Sequence, residues 1–436
     1  MSISKTLILM LISGEILFSR NVQVTNVFIS NINGEYATIN YDLQRTNPAI
    51  SSEQPVWIFV KYRLANETDF TGWKDTDDPD ATNDASDTNT DVRAASVNAN
   101  LSGDVGIVTS AGTKSINWHW GGLGSIQYGT GLSSAQSVRI RVYAIEMAFI
   151  AGGNINFRQD PGYTASSLTG TTTKCGSDYY IMKYPVTARM YKDFLNAAAN
   201  RHDNYLAPDS VHDYFTQTSY HGQQDDLNNT IRNMLFSLDS FYGLYTIIGT
   251  VGVNAQWDIY DEDGNGIHRA RYPITHLTWY NCYDFSAWCG LSLLEEEHYY
   301  KVNSENGQSI FSWGNTDPTT DLCNFDNVIH HPTDVTDYEA AVDATDGGQL
   351  YQVYELTGNV WEWTSTGGGH GNYIGSTTYD PNYGPLNYNT TDTYVIKKTG
   401  RWFSDINHVA SAYRYFGLLR IRYTPSGFRL GYFGGN

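Results

Sequence analysis

Over residues 21–148, apolar positions either alternate with polar ones or run unbroken for a few residues. "SVRIRVYAI" (137–145) sets Val138, Ile140 and Val142 against Arg139, Arg141 and Tyr143, which predicts a strand with one buried face. "VWIFVKYRL" (56–64) is a bulky, β-branched and aromatic run, and "YATINYDL" (36–43) gives a third strand. "LSGDVGIVTSAGTKSINWHWGG" (101–122) is turn chemistry leading into a Trp-containing strand. Short strands at this density predict an all-β sandwich over 21–148. The texture changes at about 149. "YYIMKYPVTARMYKDFLNAAAN" (179–200) starts extended and turns helical after Pro185, with Met190, Phe194, Leu195 and Ala198 at helical spacing. "YPITHLTWYNCYDFSAWCGLSLLEEEHYYKV" (272–302) repeats the plan, its helix carrying Trp279, Cys282, Phe285 and Trp288. Residues 303–436 show little helical period but many aromatic anchors among Gly, Asn, Asp and Thr, which predicts an α+β domain rich in ordered loops over 149–436. Residues 366–381 read as a surface loop.

The first twenty residues stand apart. Lys5 precedes an apolar run from Leu7 to Ile12, followed by Ser13 and Gly14, the pattern of a secretory signal peptide interrupted by Glu15. The other reading is a buried strand or helix. The run is shorter than the roughly 20 apolar residues a membrane span requires, and no other segment reads as transmembrane. A leader implies a secreted or cell-surface protein.

Charge changes the picture next. The net charge is −19, so a nucleic-acid backbone is repelled and is not an expected partner. The closing stretch is the exception: residues 401–429 hold five arginines against one acid, Asp405. Of the four cysteines, Cys282 and Cys289 lie two turns apart on one predicted helix, roughly 10 Å along its axis, which is beyond disulfide reach. With no C-x-x-C, a zinc or thioredoxin-like site is not expected. The acidic stretch 75–91 reads as a loop or, more sharply, a calcium-binding one. "DEDGNG" (261–266) opens like an EF-hand loop, but position twelve is Tyr272 and not Glu, so a Gly-rich turn is the better reading. His330 and His331 are adjacent in sequence and read as surface loop residues.

Five stretches occur in a telling order: "YIMKYPVTARMYKDFLN", "YPITHLTWYNCYDFSAWCGL", "FSWGN" (311–315), "ELTGNVWEWT" (355–364) and "GFRL" (427–430). Together they resemble the formylglycine-generating, sulfatase-modifying enzyme family, whose fold is C-type-lectin-like. The stretches "LSGDVG…AGTKSINWHW" and "RIRVYA" resemble the immunoglobulin-like module that often precedes such domains. In "GNVWEW" the alternation places Trp361 and Trp363 on one side of an extended segment and Glu362 on the other. Glu362 then has two fates, a buried acid paired with a basic residue or a calcium ligand with Asn359. The resemblance implies structural calcium at Asn359 and Glu362, with a second site at Asn324 and Asp337. It also implies an oxidase that uses a copper-binding cysteine pair ahead of the final "GFR". Here that stretch contains no cysteine, and the last one in the chain is Cys323. Thiolate chemistry needs a thiol, so neither copper nor that reaction is expected. The triplets with which sugar-binding lectins of this fold hold calcium and sugar are absent too.

The closing segment resembles a second group more, the variable proteins of diversity-generating retroelements, which use this fold as a binding scaffold. The framework would be Gly400, Trp402, Ser404, Ala412, Arg414, Gly427, Phe428 and Arg429. Between these lie Phe403, Ile406, Tyr415, Phe416, Leu418, Leu419, Ile421, Tyr423, Thr424 and Ser426, in the expected variable region 400–429. Exposed aromatics among arginines are what protein-binding hot spots contain, so these ten are the expected ligand-binding residues for a protein or cell-surface partner. The opposing reading makes half of the aromatics core. A non-enzymatic binding protein is therefore expected, and the rival is an enzyme of the sulfatase-modifying class acting through other residues.

Overall fold

The computed structural model of the chain describes residues 16–19, 22–32, 36–45, 55–64, 74–75, 106–119, 138–157, 170–172, 175–198, 245–248, 256–259, 269–304, 307–338, 352–367, 394–419 and 425–434. The N-terminal half holds β1 (Ile16–Ser19), β2 (Val22–Ser30), β3 (Tyr36–Arg45), β4 (Val56–Leu64), β5 (Lys74–Asp75), β6 (Gly106–Thr109), β7 (Gly112–His119) and β8 (Val138–Ile150). After these come β9 (Ile155–Phe157), β10 (Gly170–Thr172), β11 (Tyr179–Met182), helix α1 (Ala188–Ala198), β12 (Tyr245–Ile248), β13 (Gln256–Ile259), helix α2 (Trp279–Cys289), β14 (Ser292–Leu293) and helix α3 (Glu296–Asn303). The chain closes with β15 (Trp361–Gly367), β16 (Tyr394–Lys398), β17 (Tyr415–Leu418), β18 (Ser426–Gly427) and β19 (Leu430–Tyr432).

One sheet runs β1-β2-β3-β7. On β3 the buried residues are Ala37, Ile39, Tyr41 and Leu43, a strict period of two. They pack on Val56, Ile58 and Val60 of β4 and on Val142 and Ala144 of β8, so two sheets face each other across one apolar cluster. The second sheet is larger: β14-β19-β11-β8-β4-β5, with β6 also on β4. Its strands come from both halves of the chain. β8 pairs with β4 from Val138 to Glu146, then with β11 from Met147 to Ile150. The boundary expected at 148/149 thus falls inside a continuous strand. Thirteen residues give β8 the length to serve both halves.

The same two strands explain why "VWIFV" is apolar throughout. Trp57 and Phe59 of β4, and Tyr143, Ile145 and Met147 of β8, point away from the first sheet into the core around α1 and α2. Tyr143 was expected on an exposed face and is instead buried, because a helical layer covers that face. Contact with α2 is also polar. The Trp57 indole N–H donates to the Cys289 carbonyl at 2.8 Å, and the buried Lys61 ammonium donates to the Trp288 carbonyl. Helix ends leave such carbonyls without partners and carry partial negative charge, so the N-terminal half caps α2.

The start of α2 is fixed locally. Thr278 accepts from the Asn281 amide through its hydroxyl, while the Asn281 side chain accepts from the Thr278 amide. This is a reciprocal cap. Gly290, at φ 72°, ends the helix, and the Leu291 amide reaches back to the Ser286 carbonyl. Trp279, Cys282, Phe285 and Trp288 are all buried, as their spacing predicts. The side chains of Leu195 and Ala198 of α1, the loop 366–381 apart from Thr366 and Gly367, and the acidic stretch after Asp75 lie outside what is described, as does the "DEDGNG" turn. Residues 1–15 do too, while Ile16–Ser19 of the expected leader pair with β2. All four cysteines are buried, and none is in a disulfide.

Candidate functional site

A four-stranded sheet, β17-β16-β15-β18, brings "GNVWEW" and the closing segment together. β15 carries Trp361, Glu362, Trp363 and Thr364, every one buried, so both faces of this strand are covered. Trp363 donates its indole N–H to the Leu277 carbonyl at 3.2 Å, and Trp279 returns one to Thr364 at 2.7 Å. These bonds lock β15 onto α2.

Glu362 takes the first of its two fates. Arg429 of "GFRL" donates from Nε to Oε2 at 2.7 Å and from Nη2 to Oε1 at 2.8 Å, and the Tyr299 hydroxyl donates to Oε2 at 2.8 Å. Arg429 also donates to the carbonyls of Tyr354 (2.7 Å) and Glu355 (3.1 Å). The two motifs that carry the family resemblance are therefore the two ends of one fully buried, bidentate ion pair. Burial and the neighbouring Glu362 carboxylate push the Tyr299 hydroxyl well above its ordinary range, so it stays a donor. Both Glu362 carboxylate oxygens, expected also as calcium ligands, accept from protein donors. Asn359 is engaged as well, its Oδ1 accepting from the Thr333 amide at 2.9 Å and its Nδ2 donating to the Thr333 carbonyl at 3.2 Å.

Unfilled oxygens lie next to that pair. Oδ1 of Asn324 and Oε1 of Glu355 are buried without a hydrogen-bond partner. Asn324 donates to Asn359 Oδ1 at 3.4 Å, and Glu355 bonds the Asn359 side chain on the other side. Burial pushes the Glu355 carboxyl up to about 8, and Asp337, which is exposed, adds to the effect. Two carboxylates and an amide oxygen are the hard donors calcium takes, and Asp337, Glu355 and Asn324 supply that donor chemistry. Among the described residues, no three His, Cys, Asp or Glu side chains come together at metal-holding spacing. Sequence reasoning missed Glu355. Its signal was an acid between Tyr354 and Leu356 in an otherwise apolar stretch.

The ten expected ligand-binding residues divide. Phe403 is exposed, and Ile406, Tyr415, Phe416 and Leu418 are half-buried. Leu419 is a correction: it is buried in the central core, and its carbonyl accepts from the Trp279 amide at 2.9 Å. Ser426 is another. It is buried on β18 and accepts from the Lys397 ammonium at 3.1 Å. Ile421, Tyr423 and Thr424 lie outside the described residues. The expected framework residues Trp402, Ser404, Ala412, Arg414, Gly427, Phe428 and Arg429 are all buried. Arg414 makes a bidentate pair with Glu296 of α3, at 2.8 and 2.7 Å.

The exposed residues rest on this frame. Tyr415 stacks on Trp361 with centroids 5.1 Å apart, and the Lys397 ammonium sits 4.9 Å from its ring and 4.8 Å from that of Trp363. Burial holds the Lys397 ammonium well below its ordinary range. Gly417 is required between them, because a Cβ there would meet the Trp363 ring at 2.6 Å. At the start of the segment, Thr399 and Gly400 are consecutive left-handed residues, at φ 78° and 80°. The Thr399 hydroxyl donates to the Val360 carbonyl at 2.6 Å. This sharp turn presents Arg401, Trp402 and Phe403, with the Arg401 guanidinium 3.6 Å from the Phe403 centroid.

Comparison with known proteins gives the chain its relatives. Over 98 residues it is 29% identical to hercynine oxygenase of Mycolicibacterium smegmatis, covering 22% of this chain and 22% of that protein. Over 171 residues it is 28% identical to the formylglycine-generating enzyme of Mus musculus, covering 37% of this chain and 43% of that one. The chain thus spans less than half the length of these curated relatives. Among solved structures, Treponema denticola variable protein 1 matches at 16% identity and a TM-score of 0.36, over 67% of this chain and 96% of that one. Residues 135–431 match the model of the sulfatase-modifying factor enzyme 1-like domain, and the chain belongs to that family.

Proposed function

We propose that this chain is a non-enzymatic binding protein, secreted or displayed at the cell surface, in which the closing segment meets a protein or cell-surface ligand. The observation that carries the reading is the split within that segment. Phe403, Ile406, Tyr415, Phe416 and Leu418 reach solvent, while the residues between them are fixed in core contacts and ion pairs. Such a segment tolerates replacement of its outward side chains, as a variable protein of a diversity-generating retroelement requires. The N-terminal strands, read as an immunoglobulin-like module, carry the binding domain outward. A calcium ion at Asn324, Asp337 and Glu355 is structural in this reading: it supplies the positive charge that the buried Glu355 otherwise lacks.

The formylglycine-generating reaction is not proposed for this chain, since 401–429 holds no cysteine and Cys323 is buried. Incubating the protein with a Cys-x-Pro-x-Arg peptide, copper and oxygen should leave the thiol unoxidised; conversion to the aldehyde would overturn the non-enzymatic reading. Diversification is tested by sequencing the coding segment for 401–429 across a cell population. Substitutions should gather at 403, 406, 415, 416 and 418 and spare 402, 404, 414 and 429. An even spread would remove the retroelement from the reading.

A further inference from the structure

The outward end of the closing segment holds a cation that no acid among the described residues answers. Arg401 makes no ion pair among the described residues, and its Nε is buried without a hydrogen-bond partner. Arg414 and Arg429 of the same segment each hold a carboxylate in a bidentate grip. Arg401 is instead stacked on the ring of Phe403, which is 37% exposed, and lies within electrostatic reach of Tyr413 and Tyr415. Tyr413 and Tyr415 are in turn stacked on Trp361, with centroids 5.8 and 5.1 Å away. A guanidinium whose flat face is held by an aromatic ring keeps its in-plane N–H groups free for a planar acceptor. The nearest acid in sequence, Asp405, is already spent: it caps the following turn, accepting from the Asn407 amide at 2.9 Å, and pairs with His408 at 2.6 Å.

We infer that the ligand of this surface is an acidic protein segment, one of whose Asp or Glu carboxylates is received by Arg401 beside Phe403. The inference rests on the binding reading above and names its partner class. At −19 the chain repels every extended anion at long range, an acidic segment included, so recognition rests on the short-range contact. A guanidinium stacked on one aromatic ring suits a single planar carboxylate, where the contact is a charge-assisted, two-bond one, and offers no row of cations for a polyanion such as nucleic acid or an anionic membrane surface.

The experiment is a selection of a random twelve-residue peptide library, displayed on phage, against the full chain and its Arg401→Gln variant. Melting curves confirm that the variant folds. Peptides that bind the chain should be enriched in Asp and Glu. The best of them, synthesised, should lose about tenfold or more in affinity both when the acid is changed to its amide and when Arg401 is replaced by Gln. Phe403→Ser should weaken the same peptide. Peptides without acid enrichment, acid enrichment that survives Arg401→Gln, or a selection that yields no binder would each overturn the inference. The outcomes separate it from the reading beneath it. Binders that respond to Phe403→Ser but carry no acid leave the binding surface in place and remove only its preference, whereas binders indifferent to Phe403→Ser, Tyr415→Ser and Phe416→Ser remove the surface as well.

Discussion

β15 and β17 belong to one four-stranded sheet, separated only by β16, yet they are opposite in kind. β15 lies inside, covered on both faces, and its one acid is committed to Arg429. β17 ends the sheet, and Tyr415, Phe416 and Leu418 are each partly open to solvent. The difference teaches where this fold stores its stability and where it can vary. Charge buried in the inner strand is tolerable only because every partner is in place, so any change there leaves an uncompensated group. Side chains on the outer strand lean on that frame without being needed by it.

The comparison breaks first at its inner end. Arg429→Ala should cost about 3–5 kcal/mol by urea denaturation at pH 7, because it strands the Glu362 carboxylate in the core. Arg429→Lys should not restore it, since a point charge cannot make the fork to Glu362 and also reach the Tyr354 carbonyl. Next comes Leu419→Ala, at about 2–5 kcal/mol, the cost of a cavity in a packed core; a loss as small as a surface change would return Leu419 to the binding face.

A third prediction concerns Glu355. Its folded carboxyl titrates near 8, above its ordinary value, so the folded state binds the proton more tightly than the unfolded one. In chelator, stability from this group is complete below pH about 4.5 and is lost as pH rises to about 8. Glu355→Gln should flatten that slope. Calcium should raise the melting temperature of the parent chain most at the alkaline end, and a flat pH profile in the parent would refute the buried-acid account. The smallest effect is the sharpest contrast: Phe403→Ser should move stability by within about 0.5 kcal/mol. A larger loss would make Phe403 part of the frame.

Strand and helix positions were legible wherever one face repeated. The period of two on β3 and the 279–282–285–288 spacing on α2 each reflect a single buried face. Legibility failed where an element serves two cores. Tyr143 reads as outward-facing in the sequence but is buried, because β8 is covered on both sides, and β8 itself runs across 148/149 into the second half. At the site, the motifs pointed to Glu362 and Arg429 individually, but not to their pairing across 67 residues of sequence. Leu418 and Leu419 look alike in sequence. Only the end of β17, where the backbone turns to meet the Trp279 amide, sends one outward and the other into the core.

β8 has one further consequence, mechanical in nature. A binding domain hung from a linker can swivel, and a pull on its ligand would straighten the linker before it strained either part. Here the two halves share a strand that is paired with β4 over nine residues and with β11 over four. A load applied to the closing segment therefore meets hydrogen-bonded sheet, and the Trp57 and Lys61 bonds to the end of α2, before it reaches the N-terminal strands. At β8 the two halves have no hinge about which to swivel.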